Sequence, residues 1–273
     1  MMRIKAGIGL LLLLTATCSQ ANDADGPTDA KRHRLQVGVT WQTADLEFSA
    51  NRQPLPPVSI SQDDVGLDDS YTSFMIDYQY RINSDWTLFM GAYRFSIDGA
   101  TQIERDLNFN GAVYPVGSYV ESTADIDVYI VDGLYTLHQS ENMEIRVGAG
   151  LHAFDLRASL DGALTAGDQE GPFAEESEAF LAPLPNLRFQ GEYALSERLN
   201  FELTLGWLSA SYEDYSGDFR YANAQLHFAV TERLGISSGF QYTRVNVSEK
   251  RSNGKDKYDV DLYGPNVQVS YSF

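Results

Sequence analysis

The chain has 273 residues, with 38 Asp and Glu against 20 Lys and Arg, for a formal net charge of −18. A surface this acidic repels phosphate, and no basic patch stands out, which argues against a nucleic-acid partner. Past the first twenty-one residues no apolar run approaches the roughly 20 residues of a membrane-spanning helix, so any membrane-embedded form has to be a closed barrel.

The first residues set the compartment. Arg3 and Lys5 precede an apolar core from Ile8 to Ala16 that contains Leu10 to Leu14, and Ser19-Gln20-Ala21 fits a small-x-small cleavage site. This is the layout of a secretory signal peptide, with cleavage expected after Ala21. Cys18 is the single cysteine; a lipid anchor there would want Gly, Ala or Ser before it, and the residue is Thr17. Cleavage after Ala21 removes two positive charges and takes the net charge from −18 to −20. It also leaves no thiol for a disulfide, a zinc site or a nucleophile. Residues 22–33 read as a short periplasmic segment, and 34–273 as the folded body.

That body reads as strands almost throughout, because apolar residues recur with period two. Leu35, Val37, Val39 and Trp41 alternate with Gln36, Gly38, Thr40 and Gln42. Leu199, Phe201, Leu203, Leu205 and Trp207 repeat the pattern, as do Val267, Val269, Tyr271 and Phe273. Ten strands are predicted near 34–48, 71–82, 86–98, 122–138, 142–158, 182–195, 199–213, 217–230, 234–248 and 257–273. Short polar turns, such as Asn83-Ser84-Asp85 and Ser196-Glu197-Arg198, alternate with long linkers near 49–70, 99–121 and 159–181. The predicted fold is all-β: an antiparallel up-and-down transmembrane barrel with short turns facing the periplasm.

A weak repeat supports a membrane boundary. Strands that run into short turns end in aromatic-x-aliphatic at Tyr80, Tyr135, Tyr193 and Phe228, and the last strand ends at Phe273. Aromatic rings settle at the membrane–water interface, so these five residues are the expected periplasmic girdle. The pattern over the whole mature length resembles the bacterial outer-membrane β-barrel proteins. In those families a last strand of alternating apolar residues ending in Phe is read by the barrel-assembly machinery, and Val267, Val269, Tyr271 and Phe273 match it. The resemblance implies an outer-membrane location, with lipid, lipopolysaccharide and the assembly machinery as partners.

If Tyr193 and Leu195 face lipid, then Arg188, Gln190 and Glu192 face the lumen. The same parity puts Asp77, Gln79, Arg81, Asp132, Glu144, Arg146, Glu202, Asn223, Gln225 and His227 inside. The hairpin at Ser196–Arg198 sets Glu192 opposite Glu202. The expected lumen ion network contains Arg146, Arg188, Glu192, Glu202, Asp77 and Arg81, with Arg146 and Arg188 between the two glutamates. Asp127 falls on the lipid parity; either it lies above the bilayer or a bulge shifts the register.

Catalytic signals are sparse. No nucleophile elbow, metal-ligand spacing or phosphate loop appears, and no metal or cofactor is expected. His138-Gln139-Ser140 resembles the His-x-Ser of lipid A deacylases but sits at the opposite end of the barrel. His152 is the best-placed histidine, expected at a wall or rim. Asp63, Asp64, Asp68 and Asp69, and then Asp168, Glu170, Glu175, Glu176 and Glu178, form acidic clusters in two long loops. Ten strands are close to the eight whose interior side chains fill, so a narrow or plugged lumen is expected. The leading expectation is a non-enzymatic barrel, structural or a narrow porin-like channel passing small solutes. The alternatives are a surface enzyme acting on lipid or peptide, and an adhesion protein using the acidic loops.

Overall fold

A computed structural model describes residues 32–52, 58–68, 70–104, 106–109, 112–163, 172–212, 214–252 and 254–273. The predicted signal peptide and all of the 22–33 segment before Arg32 lie outside the described residues, as do Asp69, Asp168 and Glu170.

Thirteen strands are present among the described residues: β1 (His33–Arg52), β2 (Val58–Ser61), β3 (Ser70–Arg81), β4 (Trp86–Gln102), β5 (Leu107–Phe109), β6 (Ala112–Tyr114), β7 (Tyr119–Gln139), β8 (Met143–Ala163), β9 (Pro172–Ala194), β10 (Leu199–Tyr212), β11 (Tyr215–Ala229), β12 (Leu234–Arg251) and β13 (Gly254–Ser272). Ten of them form an antiparallel ring in the order β1-β3-β4-β7-β8-β9-β10-β11-β12-β13, and β13 pairs back onto β1. Closure is completed where His33 N–H donates to Phe273 O at 3.0 Å and Phe273 N–H to His33 O at 2.9 Å. A closed ring leaves no sheet edge, which a bilayer requires. β2 lies beside the upper part of β1, and β5 and β6 form a separate hairpin.

The ten predicted strands correspond to these ten, but several run further than expected. β9 begins at Pro172 and β8 reaches Ala163, so most of the predicted 159–181 linker is paired strand. The linkers near 49–70 and 99–121 also hold β2, β5 and β6.

The two faces of the wall exchange polarity along its height. On β7, Tyr135, Gly133, Val131 and Tyr129 face outward and Asp132 inward; two residues further, Asp127 and Asp125 face outward, while Val128 and Ile126 are buried inside. On β13, outward Val269 and Val267 oppose inward Gln268 and Asn266, but higher up outward Asp261 opposes inward Leu262. β4 and β12 change in the same way, with Phe95, Ile97, Val245 and Val247 inward above the change. The lower part has the polarity of a wall in lipid, and the upper part that of a barrel in water.

The height of the lower part fits a bilayer. From the girdle aromatic to the first outward charge is eight residues on β4 (Trp86 to Arg94), β7 (Tyr135 to Asp127) and β11 (Phe228 to Arg220), and ten on β13 (Tyr271 to Asp261). At about 3.3 Å per residue and a tilt of about 40°, that is roughly 20–25 Å of apolar wall, the band of an outer-membrane barrel.

Candidate functional site

The lumen is layered. At the short-turn end Glu144, Glu192 and Glu202 stand on β8, β9 and β10 in one register row, each directly opposite the next. Like charges facing one another across strands destabilise a sheet unless cations intervene. Arg146 intervenes: its Nε and Nη2 donate to Glu144 at 2.9 and 2.5 Å, and its Nη1 donates to Glu192 at 2.8 Å and to Gln190 at 3.1 Å. Arg81 crosses the lumen from β3 and donates to Glu144 at 2.9 Å. Arg34 reaches from β1 to within 3.8 Å of Glu202 and 4.0 Å of Glu192. His227 Nε2 lies 3.4 Å from Glu202, and the Thr204 hydroxyl donates to the same carboxylate at 3.3 Å. A cavity of about 230 Å³ opens below this row, lined by Arg32, Arg34, Gln79, Arg81, Arg146 and Glu192.

This arrangement corrects the expected network. Arg146 bridges Glu192 and Glu144, but Glu202 is held by Arg34 and His227. Arg188 lies one tier higher, where it donates to Asp132 at 3.0 Å and stands 3.7 Å above the centre of the Phe89 ring. Asp77 is on that higher tier too, its Oδ1 facing the open side of Gly91, and makes no hydrogen bond or ion pair among the described residues. Arg34 was legible from parity, since Leu35 and Val37 point outward, but nothing local marks its reach to a strand four places away around the ring.

His152 is buried in the lumen rather than placed at a wet rim. Its Nε2 lies 3.5 Å from Asp132 and 3.1 Å from Asn186, and its ring meets Phe219 edge-on at 4.9 Å. Room for Asp132 comes from Gly150, where a Cβ would fall 2.2 Å from the Asp132 carboxylate.

Above this tier the interior turns apolar. Phe95, Ile97, Ile126, Val128, Phe219, Val245, Val247 and Leu262 form one buried cluster with Phe89, Ile130 and Leu134. The segment after β2 folds onto it: Leu67 packs against the cluster, Ser122 Oγ donates to Val65 O at 2.6 Å, and Gly66 adopts the left-handed φ of 68° that this turn needs. Asp64 accepts from Ser61 N–H at 2.8 Å, a local cap within the acidic loop.

The outer wall accounts for the remaining predicted residues. Tyr135 meets Trp86 edge-on at 5.2 Å, Tyr80 and Phe273 stack on the two sides of His33, and Tyr193 and Phe228 are exposed at the same end. The pairing of β7 is regular at Asp127; its register shift lies between Thr136 and His138. Asp127 therefore keeps its outward parity, directly above the apolar band, where it accepts from Arg94 at 2.5 Å and from Arg157 at 3.0 Å.

No protein-family model and no curated protein matches the chain. Among solved structures it is similar to the outer membrane protease OmpT from Escherichia coli, at 9% identity and a TM-score of 0.56, over 88% of this chain and 97% of that one. Looser matches include the translocator domain of the autotransporter NalP from Neisseria meningitidis (11% identity, TM-score 0.46, 90% of each chain). The attachment invasion locus protein Ail of Yersinia pestis also matches (10% identity, TM-score 0.31, 87% of this chain and 99% of that one). Identities this low speak to fold alone. The ring that closes on itself and the wall that is apolar over one bilayer height, with the likeness in fold to OmpT, make the chain a transmembrane β-barrel of the bacterial outer-membrane class.

Proposed function

We propose that this protein is a non-enzymatic, structural barrel whose lumen passes no solute. The observation that carries the proposal is the buried apolar cluster, to which β1, β4, β7, β11, β12 and β13 all contribute. Ions and polar solutes need a continuous wet path, and a constriction lined by Phe, Ile and Val dewets. Beneath it the lumen is crossed by ion pairs that tie distant strands together, Arg81 to Glu144 and Arg34 to Glu202. A narrow channel would use the same residues but would need a wet route through the apolar tier. The surface-enzyme reading draws on the likeness in fold to the protease OmpT and on the Asp132–His152 pair. That pair is 0% and 2% exposed, beyond the reach of a peptide. On this reading the partners are the surrounding lipid and lipopolysaccharide, with the assembly machinery acting during insertion.

The test is single-channel conductance of the refolded mature chain in a planar bilayer, with heat-modifiable gel mobility as the check on folding. A folded, silent protein is the expected result. Reproducible conductance steps would overturn the closed-lumen reading in favour of a narrow channel.

A further inference from the structure

The lipid-facing wall is not evenly convex. A cavity of about 760 Å³ opens on its outer side between β4 and β10. Its lining is apolar apart from Arg188, whose side chain turns inward to Asp132. Two register rows define it. The lower runs from Trp86 through Tyr135 and Val147 to Leu205, and the upper from Gly133 through Ala149 to Trp207. Gly133 presents no side chain to the outside and Ala149 only a methyl group, so the upper row sinks between bulky neighbours. The result is a trough with Trp86 and Tyr135 at one end and Trp207 at the other.

We propose that this trough is a binding site for one acyl chain of a glycerophospholipid from the periplasmic leaflet. Three observations support that occupant. The trough lies wholly within the apolar band, below Arg94 and Asp127, where acyl chains are the surrounding medium. Its direction also fits: Trp86 is the first residue of β4, beside the short turn, whereas Trp207 stands eight residues above Leu199 on β10. Because strands tilt, a register row climbs the wall, and the trough rises from the periplasmic girdle into the bilayer. Its length is four strand spacings, roughly 19 Å, against about 15 Å for one leaflet of hydrocarbon, so a chain lying obliquely fills it. A second copy is a poorer occupant. A two-fold interface would set this concavity against itself and leave it empty.

The experiment uses the mature chain refolded in detergent, supplied with palmitoyl-oleoyl phosphatidylethanolamine and read by native mass spectrometry. One lipid per barrel is expected to survive collisional activation. The variant Gly133→Phe fills the trough without disturbing the wall, because a Cβ there has its nearest neighbour, Ala149 O, at 4.0 Å. With the trough filled, loss of the retained lipid is expected, because the phenyl ring occupies the volume that the acyl chain would pack into. Ala149→Phe is the independent second variant, and heat-modifiable mobility reports whether each variant folds. The proposal is overturned if the wild-type barrel retains no lipid, or if folded variants retain it as the wild type does. A retained second copy in place of lipid would overturn it too, and displacement of the phospholipid by an equal amount of lipid A would overturn the assignment to the periplasmic leaflet.

Discussion

Arg146 is 3% exposed and satisfies carboxylates on two strands, its own β8 and the neighbouring β9. Replacing it with Met leaves Glu192 and Glu144 facing each other at half-buried positions, with Arg81 still on Glu144 alone. Breaking a buried pair from one side costs about 3–5 kcal/mol, and Arg146→Met is expected to lower the urea midpoint of the refolded barrel accordingly. An unchanged midpoint would show that the row of glutamates does not depend on this guanidinium. Exposed Arg94, 66% accessible on the outer face, is the contrasting case, and its replacement should move the midpoint little. Period-two parity was enough to place Arg146, Glu192 and Glu202 inside. It could not assign partners, because hairpin neighbours are visible in a sequence while contacts across a lumen are not. That is why Arg188 was expected beside Glu192 but belongs to Asp132, and why Arg34 took the place beside Glu202.

The same limit acts on strands. All ten ring strands were legible because lipid forces apolar residues onto one face for eight or more positions. Above the bilayer that demand ends. β8 continues with outward Asp155, Arg157 and Asp161, a pattern that looks like loop although it is paired. β5 and β6, at three residues each, are too short to show any alternation. Glycine placement within strands carries a sharper consequence. A Cβ at Gly150 would lie 2.0 Å from Val131 O and 2.2 Å from the Asp132 carboxylate, so β7 and β8 could not keep their spacing. Gly150→Ala is expected to destabilise the barrel by about 1–3 kcal/mol, the usual range for overpacking. Gly133→Ala, with open space beyond it, should leave the unfolding midpoint where it was. Equal effects from the two would mean that strand propensity, not the close approach at Gly150, sets the cost.

At the scale of the whole molecule, the inversion of polarity also orients it. The lower part needs lipid on its outer face, whereas the upper part, with apolar groups inside and ion pairs such as Arg244–Asp261 outside, needs water there. Only the end carrying the long connections projects this way, and the short turns stop at the girdle. The inversion was hidden in the sequence because both halves alternate with the same period and differ only in phase. Projection into water at one end predicts which residues are accessible on intact cells. Ser252 lies in the β12–β13 connection and Ser84 in the short turn before β4, and both are exposed. Where cleavage after Ala21 takes Cys18 away, as the sequence predicts, the mature chain has no thiol, and Ser84→Cys and Ser252→Cys each carry a single label site. A membrane-impermeant maleimide is expected to mark Ser252→Cys on intact cells, and Ser84→Cys only after the outer membrane is permeabilised. The parent chain should stay unlabelled in both conditions. Labelling of Ser84→Cys alone on intact cells would turn the barrel over and put the apolar plug on the periplasmic side. A labelled parent chain would instead mean that Cys18 remains in the mature protein.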